Sequence, residues 1–405
     1  MSRPYPQAVV NEKAEKRLRE GHPWVFGDDV VSSDGCTDGE ICDVYSCRGK
    51  WLGAGFFNSN SKIRVRVLSY NANDRFDEAF WRRRVKYAVD YRRTVMGDDF
   101  KCCRLIFGEA DFFPGLTVDR FGDVLSVQCA CLGTEKIKDS LYTMLTEELG
   151  ESGDSITALY ERNDAAVRLL EGLENYTSYW TGAGLSEGSG QVEIVENGIK
   201  YTVDYINGQK TGFFLDQKYN RQAVARIAKG KKVLDCFTHT GAFALNAAAA
   251  GALHVDAVDV SAEAVEMTRK NAEINGLAGK MGFILADVFD LLEKMLDEKR
   301  RDYDFIILDP PAFTKSAHTV KNAVKGYREI NTAAMRLLPR GGYLATCSCS
   351  HFMRDTLFCQ MLHDAARDAG VRLRQIEARQ QSPDHPILWS VPETDYLKFY
   401  IFQIV

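Results

Sequence analysis

The alternation of apolar and polar positions divides the chain into three regions, of which the first spans residues 1–73. It begins with a short helical run, EKAEKRLREG, that Gly21 should end. Short β-rich runs broken by turn residues follow. In KIRVRVLS, Ile63, Val65 and Val67 fall on one face, so the other face should be basic. Strands this short predict a small β-barrel.

The second region, residues 74–190, has a mixed pattern that predicts an α+β domain. It opens with the helical run FDEAFWRRRVKYAVDYRRTV and continues with two strands around a Phe-Gly-Asp turn. The helical run KIKDSLYTMLTEEL and the short strand ITALYE come next. The turn-rich stretch TGAGLSEGSG, residues 181–190, is expected to link this region to the third.

The third region, residues 191–405, alternates between strands and helices. It starts with QVEIVENGIKYTVDY, whose Asn-Gly pair between two alternating runs is typical of a hairpin. Five βα units follow, with the strands KKVLDCF, HVDAVDV, GFILADV, YDFIILDP and GGYLATCSCS. Such a series predicts an α/β domain with a doubly wound, mostly parallel sheet, whose ligands bind beyond the carboxyl ends of the strands.

Composition excludes several classes of protein and site. With 45% apolar and 26% charged residues, the chain is neither disordered nor fibrous. No uncharged apolar run reaches the roughly 20 residues that a membrane span needs, and the N-terminus has no apolar segment typical of a signal peptide. We therefore expect a cytoplasmic protein with no membrane contact. The eleven cysteines form no C-x-x-C pair, so no metal site is expected.

The net charge of −5 argues against a broad basic surface for nucleic acid. Residues 62–93 are nevertheless basic, with ten Lys or Arg against four Asp or Glu. This stretch is either an ordinary solvated face or a local patch that contacts phosphates. The candidates for RNA contact are Lys62, Arg64, Arg66, Arg82 and Arg83.

Acidic residues end the first four strands of the series. Asp235 lies at the end of the first, and Asp259 at the end of the second could accept both hydroxyls of a ribose. Asp287 ends the third, where it could accept from an exocyclic amine, and Asp309 ends the fourth. No G-x-G-x-x-G motif is present, which disfavours a nicotinamide cofactor. These carboxylates suit S-adenosylmethionine, although each alone could simply cap the following helix.

The series VLDCFTHTGAF, VDVSAEAV, ADVF and IILDPPAF resembles class I S-adenosylmethionine-dependent methyltransferases, which have a Rossmann-like catalytic domain. GHPWVF, GEADFFPGLTVDRFGD and NGQKTGFFLDQKYNR resemble one subgroup, the large-subunit ribosomal RNA cytosine-C5 methyltransferases (the RlmI-like proteins). The resemblance implies an N-terminal PUA domain, an α+β central domain and a catalytic domain over the three regions. It implies ribosomal RNA of the large subunit as partner, and it allows a homodimer.

The resemblance also implies which residues hold the cofactor. Gly241 is additionally singled out by the sequence, because a glycine after the first strand lets the backbone approach a ligand closely. The implied S-adenosylmethionine-binding residues are Phe214, Asp216, Gln217, Asp235, Phe237, Thr240, Gly241, Asp259, Ser261, Asp287, Val288 and Asp309.

Methylation of cytosine at C5 requires a nucleophile, since C5 becomes reactive only after a thiolate adds to C6. The subgroup's Ser-Cys-Ser pattern falls on residues 348–350, which implies Cys349 as the nucleophile, with Asp309 as its catalytic neighbour. Cys347 stays open, because other cytosine methyltransferases read Thr-Cys-Ser there and it would share a strand face with Cys349.

Two other functions stay open at this stage. One is N-methylation of a base, which also uses Asp-Pro-Pro motifs but needs no thiol. The other is RNA binding by a methyltransferase fold without activity. The pair His385-Pro386 also resembles the subgroup, either as a rigid loop or as a substrate contact.

Overall fold

The computed structural model describes residues 3–314 and 316–405, which form two compact units. Unit 1 contains the described residues up to Ile194, together with Val203–Leu215 and Pro383–Thr394. Unit 2 contains Val195–Thr202, Asp216–Ser382 and Asp395–Val405. The three regions and their boundaries at residues 73 and 190 stay predictions. No helix in the described part of the chain is long and apolar enough to span a bilayer.

A six-stranded sheet opens unit 1 and includes the runs predicted from the sequence. In spatial order β2-β6-β5-β4-β1-β3, β1 pairs parallel with β4 and the other pairs are antiparallel. The helix α1 ends two residues before Gly21, as predicted, and its Ala14 and Leu18 join the apolar core. The elements are β1 (Gln7–Val10), α1 (Glu12–Arg19), β2 (Trp24–Phe26), β3 (Val30–Ser32), β4 (Ile41–Ser46), β5 (Trp51–Phe57) and β6 (Ile63–Ser69).

The predicted basic face of β6 is wrong at Arg66. Its side chain is only 9% exposed and forms ion pairs with Glu109 at 2.8 Å and Glu171 at 2.9 Å. Both faces of this part of the strand are therefore covered. The alternation pattern could not show this because the two acidic partners are distant in sequence.

The second sheet of unit 1 has five strands in the order β11-β10-β9-β8-β7. Both predicted helices, the two strands around the Phe-Gly-Asp turn and the short strand are confirmed, whereas β7 and β11 were not predicted. The elements are α2 (Glu78–Met96), β7 (Cys102–Phe107), β8 (Leu116–Phe121), β9 (Val124–Cys129), α3 (Leu132–Glu151), β10 (Ala158–Asn163) and β11 (Tyr176–Trp180).

The predicted hairpin consists of β12 (Gln191–Glu196) and β13 (Ile199–Asp204). Asn197 at φ 55° and Gly198 at φ 77° form its turn. Positive φ at both central residues is what a type I′ turn requires, and Asn-Gly tolerates it best. The pattern therefore identified both the strands and the turn.

A seven-stranded sheet forms the centre of unit 2, in the order β16-β15-β14-β17-β18-β20-β19. The first five are parallel, and β20 runs antiparallel to both its neighbours. The elements are α4 (Lys218–Ala228), β14 (Lys232–Cys236), α5 (Ala242–Ala249), β15 (His254–Asp259), α6 (Ala262–Ile274), β16 (Met281–Leu285), α7 (Val288–Asp297), β17 (Phe305–Leu308), α8 (Val320–Leu337), β18 (Tyr343–Ser348), α9 (Asp355–Ala369), β19 (Leu373–Arg379) and β20 (Lys398–Ile404).

The order of these strands confirms the predicted doubly wound sheet and locates its ligand crevice. The chain moves outward from β14 through β15 to β16, and then returns to the other side of β14 with β17. Ligands of doubly wound sheets bind beyond the carboxyl ends of the strands at such a reversal. The predicted acidic residues Asp235, Asp259 and Asp309 lie at those ends.

Candidate functional site

Asp235, the penultimate residue of β14, is a buried carboxyl with one unpaired oxygen. Its side chain is 1% exposed, and its Oδ2 accepts hydrogen bonds from the Thr238 hydroxyl at 2.7 Å and the Ala244 N–H at 3.0 Å. Oδ1 has no hydrogen-bond partner among the described residues. Burial raises the pKa of Asp235 to about 7. The crevice at the reversal in strand order therefore contains a carboxyl oxygen, Asp235 Oδ1, that has no hydrogen-bond partner among the described residues.

The raised pKa predicts a pH-dependent stability that Asp235→Asn removes. Because the folded state keeps the proton up to about pH 7, whereas the unfolded state loses it near 3.8, wild-type stability falls as pH rises between these values. We expect the unfolding free energy of the variant, relative to wild type, to be about 2–3 kcal/mol higher at pH 8 than at pH 5. Urea titrations at both pH values measure this.

The matched control for that experiment is Asp290→Asn, which changes an exposed carboxylate in the first turn of α7. Its difference from wild type should be the same at both pH values. A difference for Asp235→Asn that is equally independent of pH would show that the buried carboxyl is not protonated in the folded state.

The loop after β14 is held close to the sheet by unusual backbone geometry. Phe237 and His239 have φ values of 63° and 51°, a region that non-glycine residues rarely adopt. Gly241 has φ 82°, and a Cβ there would lie 2.5 Å from a methyl carbon of Thr268. The buried Thr240 hydroxyl oxygen has no hydrogen-bond partner in the described chain. The loop therefore brings backbone and a second unpaired polar atom to the crevice.

Asp259 ends β15 and fixes this loop. Its Oδ2 accepts from the His239 N–H at 2.9 Å, and its Oδ1 accepts from the Ser261 N–H at 3.0 Å. Each oxygen keeps a further lone pair, and the residue is half-buried. Val260 follows with a side chain that is 70% exposed, which sequence reasoning did not single out. A carboxylate beside an exposed apolar side chain suits a nucleoside.

Three predicted residues have clear structural roles. Ser261 caps α6 by accepting from the Ala264 N–H at 3.2 Å, and Asp287 caps α7 by accepting from the Phe289 N–H at 2.7 Å. The Val288 side chain is 2% exposed and packs in the core of unit 2. The helix-capping alternative therefore describes Ser261 and Asp287, although the Asp287 side chain also stays exposed at the surface.

Asp309, Gln217 and Cys347 form a polar cluster beyond β17. The Cys347 thiol donates to Asp309 Oδ1 at 2.9 Å, and Gln217 Nε2 donates to the same oxygen at 3.2 Å. Although part of the Asp309 surface is accessible, its surroundings desolvate the carboxyl and raise its pKa to about 6. Burial also raises the pKa of the Cys347 thiol well above its usual value. Cys347 thus stays protonated at neutral pH and acts as a donor.

Cys349 lies one residue beyond the end of β18 and is partly exposed. The residues on both sides are anchored, since the Ser348 hydroxyl donates to the Tyr327 hydroxyl at 3.0 Å and the Ser350 hydroxyl donates to the Thr314 carbonyl at 2.9 Å. The structure thus separates the two candidate thiols, which the sequence could not do. Cys347 is enclosed in the sheet, whereas Cys349 is accessible at its edge.

Lys398 is a residue of this region that sequence reasoning missed. It lies opposite Ser348 in the β18–β20 pair and is 4% exposed. Its Nζ donates to the carbonyls of Ser350 at 2.6 Å and Tyr396 at 2.8 Å. Burial lowers the pKa of Lys398 to about 8. Its sequence context, LKFYIFQI, predicts only a strand, so no signal distinguished this lysine.

The segment before α4 contributes a second side of the polar cluster. Asp216 Oδ2 accepts from the Tyr396 hydroxyl at 2.6 Å, and the side-chain amide of Asn220 donates to Gln217 Oε1 at 2.7 Å. The bond from Asn220 orients the Gln217 amide, so that its nitrogen points to Asp309. Phe214 belongs to unit 1, where the Lys210 ammonium lies 4.8 Å from its ring centroid.

The other basic candidates lie in unit 1. Lys62 is exposed, and the half-buried Arg64 donates to backbone carbonyls of the preceding turn. Arg82 and Arg83 are 46% and 45% exposed, and both contact carboxylates. Arg82 and Arg83 are therefore paired with acidic residues, whereas Lys62 and Arg64 form no ion pair among the described residues.

His385 is buried in unit 1 rather than exposed. Its Nδ1 lies 2.9 Å from an Asp384 carboxylate oxygen, and its ring centroid lies 5.4 Å from that of Phe107. The other Asp384 oxygen accepts from the Arg104 N–H at 2.8 Å. Of the two interpretations, this placement favours the rigid loop. In the described ranges, no group of three or more His, Cys, Asp or Glu could hold a metal ion.

Curated relatives match nearly the whole chain, and two family models match parts of it. A model described as S-adenosylmethionine-dependent methyltransferase matches residues 175–402, and a PUA-like domain model matches residues 8–70. A Klebsiella pneumoniae protein named Ribosomal RNA large subunit methyltransferase I is 38% identical, covering 99% of each chain. An Aeromonas salmonicida protein of the same name is 40% identical, covering 95% of this chain and 96% of its own.

Solved structures show the same fold. An S-adenosylmethionine-dependent methyltransferase from Streptococcus mutans superposes with a TM-score of 0.83 at 22% identity, over 98% of this chain and all of its own. A second methyltransferase structure, complexed with SAH, gives the same TM-score and identity. The predicted fold, a PUA-like domain before a Rossmann-like methyltransferase domain, is therefore confirmed.

Proposed function

Since the chain belongs to the S-adenosylmethionine-dependent methyltransferase family, we propose that it methylates C5 of a cytosine in large-subunit ribosomal RNA. The names of its full-length relatives support the RNA substrate. One structural observation supports the position of the methyl group, namely the accessible thiol of Cys349 beyond β18. An N-methyltransferase would need no such thiol.

The crevice residues fit the cofactor. S-adenosylmethionine offers two ribose hydroxyls and an amino group as donors. Asp259 would accept from the hydroxyls with its remaining lone pairs. Asp235 Oδ1 has no hydrogen-bond partner among the described residues, and with a pKa of about 7 it would accept a hydrogen bond when ionised and donate one when protonated. Gly241 has φ 82° and packs against Thr268, where a Cβ would lie too close, so only glycine lets the loop follow this path. When bound, the cofactor supplies an electrophilic methyl group.

Two side chains would contact the adenine of the cofactor. Val260 would cover one face of the base with its exposed side chain, and Asp287 would accept from the exocyclic amine. Val288 can contribute only backbone atoms because its side chain is in the core. Phe214, Asp216, Gln217, Phe237, Thr240 and Ser261 stay in the proposed binding set through the family resemblance.

In the proposed reaction, the Cys349 thiolate forms a bond to C6 and the electron pair of the C5–C6 bond moves to C5. C5 then bonds to the sulfonium methyl carbon, whose bond to sulfur breaks and leaves a neutral thioether. A base takes the C5 proton, the C5–H electron pair re-forms the C5–C6 double bond, and the C6–S bond breaks to return the thiolate. An anchored chain on both sides of Cys349 keeps the thiol at one place. The protein therefore has to hold the base directly over this fixed thiol.

Asp309 would hold the polar edge of the cytosine. An Asp carboxylate can accept from the N4 amine of cytosine, and a protonated one can donate to N3. Because its pKa is about 6, both forms of Asp309 are accessible near neutral pH. Cys347 and Gln217 fix the orientation of one carboxylate oxygen and leave the other for the base.

We also propose that RNA backbone contacts come from Lys62, Arg64, Arg82 and Arg83 in unit 1. Their side chains are exposed or half-exposed, which a phosphate contact requires. Arg66 is omitted because its guanidinium is already paired with two buried or half-buried carboxylates. Phosphate contacts of this kind supply affinity without base preference.

Bisulfite mapping tests this function in the cell. Deleting the gene for this chain should convert one protected cytosine of large-subunit ribosomal RNA into a reactive one, and the wild-type gene should restore protection. At that cytosine, nearly all RNA molecules should change from protected to reactive, because a single enzyme modifies this position. An unchanged bisulfite pattern together with a lost methyl group on another base atom would assign the enzyme to N-methylation.

A further inference from the structure

Lys398 is a buried cation whose hydrogen bonds in the described structure go only to neutral groups. Its side chain is 4% exposed, and both of its hydrogen bonds go to backbone carbonyls. No carboxylate oxygen of the described residues lies within 4.0 Å of Nζ. Burying an ammonium is costly unless a negative charge compensates it. The chain therefore keeps a positive charge where the resting protein offers no close carboxylate.

The contacts of Lys398 lie on both sides of Cys349. Lys398 is paired with Ser348 across β18 and β20, and its Nζ reaches the carbonyl of Ser350. These two residues flank Cys349 on either side. Asp395, Cys349 and Asp355 favour the protonated form of Lys398, and of these three, Cys349 is the residue that lies between the two contacts of Lys398.

We infer that the Lys398 ammonium is the counter-ion that stabilises the thiolate of Cys349, a positioning role that rests on the proposed function. A positive charge next to a thiol favours deprotonation, because the thiolate gains an attractive interaction that the thiol lacks. Other titratable groups also face Cys349. Cys347 and Tyr327 are buried, and burial raises the pKa of both above their usual values. They are therefore neutral at physiological pH, whereas Lys398 carries a positive charge.

The role predicts a chemical property of Cys349 that can be measured without RNA or cofactor. Alkylation by iodoacetamide follows the thiolate fraction, so its rate against pH gives the titration of an individual cysteine. Peptide mapping by mass spectrometry of the full-length protein would follow Cys349 and, as an internal reference, the exposed Cys47. In wild type, half-maximal alkylation of Cys349 should occur at least one pH unit below that of Cys47.

Two variants isolate the charge. Lys398→Met keeps an unbranched side chain of nearly the same length and removes the ammonium, so the Cys349 midpoint should rise by about one unit and its alkylation at pH 7 should slow about tenfold. Lys398→Arg keeps the charge and should stay near wild type. Cys47 should not change in either variant. In methylation assays, Lys398→Met should recover activity as pH is raised toward 9, because the higher pH deprotonates Cys349 without help from the ammonium. If the variant only lost the hydrogen bonds to the two carbonyls, a higher pH would not restore its activity.

Two results would overturn the inference. One is a Cys349 midpoint that is the same in Lys398→Met and wild type. If that variant does not fold, the wild-type protein decides, because a Cys349 midpoint at or above that of Cys47 excludes a stabilised thiolate. The proposed function is tested separately, since a shifted Cys349 in a protein that makes no 5-methylcytosine would contradict the reaction and leave the ion pair in place.

Discussion

RNA that carries 5-fluorocytosine at the target position should become covalently attached to the wild-type protein and to the Cys347→Ala variant, but not to Cys349→Ala. Fluorine at C5 cannot leave as a proton does, so the bond between sulfur and C6 persists after methyl transfer. The adduct should appear as a denaturation-resistant protein–RNA band. Methylation of ordinary RNA by Cys349→Ala should fall by roughly 10⁴-fold or more, as for the loss of other covalent nucleophiles.

The positions of the two thiols explain why these variants should differ. Cys347 is 1% exposed and donates a hydrogen bond to Asp309 at 2.9 Å. Burial raises the pKa of its thiol well above the usual value. A protonated, enclosed thiol cannot attack a base. Cys347→Ala removes a donor to Asp309, so we expect slower adduct formation with the band retained. Cys349 is accessible and closer to the edge of the sheet.

Cys359→Ala is the matched control, because Cys359 is also a partly exposed thiol of unit 2 but lies on α9. It should form the adduct at the wild-type rate. A band that survives the loss of Cys349 and disappears with Cys347 would make Cys347 the nucleophile. No band from any variant, with methylation still observed, would favour N-methylation instead.

The sheet of unit 2 was predictable because each of its five parallel strands is a short, largely apolar run, and an acidic residue ends or follows four of them. The helices between them have clear periodicity, and the Asn197-Gly198 turn fixes the hairpin. In unit 1, β7 and β11 were missed. β7 follows a helix after only five residues, and β11 has no alternation between buried and exposed positions. The local pattern of apolar and polar positions did not distinguish these two strands from loops.

The site was predictable where it depends on strand ends and not where it depends on pairing between distant segments. The sequence placed Asp235, Asp259 and Asp309 at one edge of the sheet because parallel strands share that edge. It could not place Lys398 beside β18, since that contact depends on β20 running antiparallel between β18 and β19. Nor could it pair Arg66 with Glu171, which is 105 residues away.

Asp259→Ala should weaken the binding of S-adenosylmethionine by at least about 30-fold. The carboxylate is proposed to accept from the ribose hydroxyls, and each charge-assisted hydrogen bond contributes roughly 1.5–3 kcal/mol. The substitution also frees the His239 N–H, and with it the loop that carries Thr240 and Gly241. Isothermal titration of the full-length protein with S-adenosylmethionine measures the effect.

Asp259→Asn separates these two contributions, because an asparagine oxygen can keep the bond to the His239 N–H, whereas the charge is lost. It should therefore bind more tightly than Asp259→Ala and more weakly than wild type. Asp290→Ala, at an exposed position on α7, should bind like wild type. Wild-type affinity in Asp259→Ala would remove this residue from the cofactor site. Equal losses in both Asp259 variants would mean that the charge on the ribose side, rather than the anchored loop, determines the affinity.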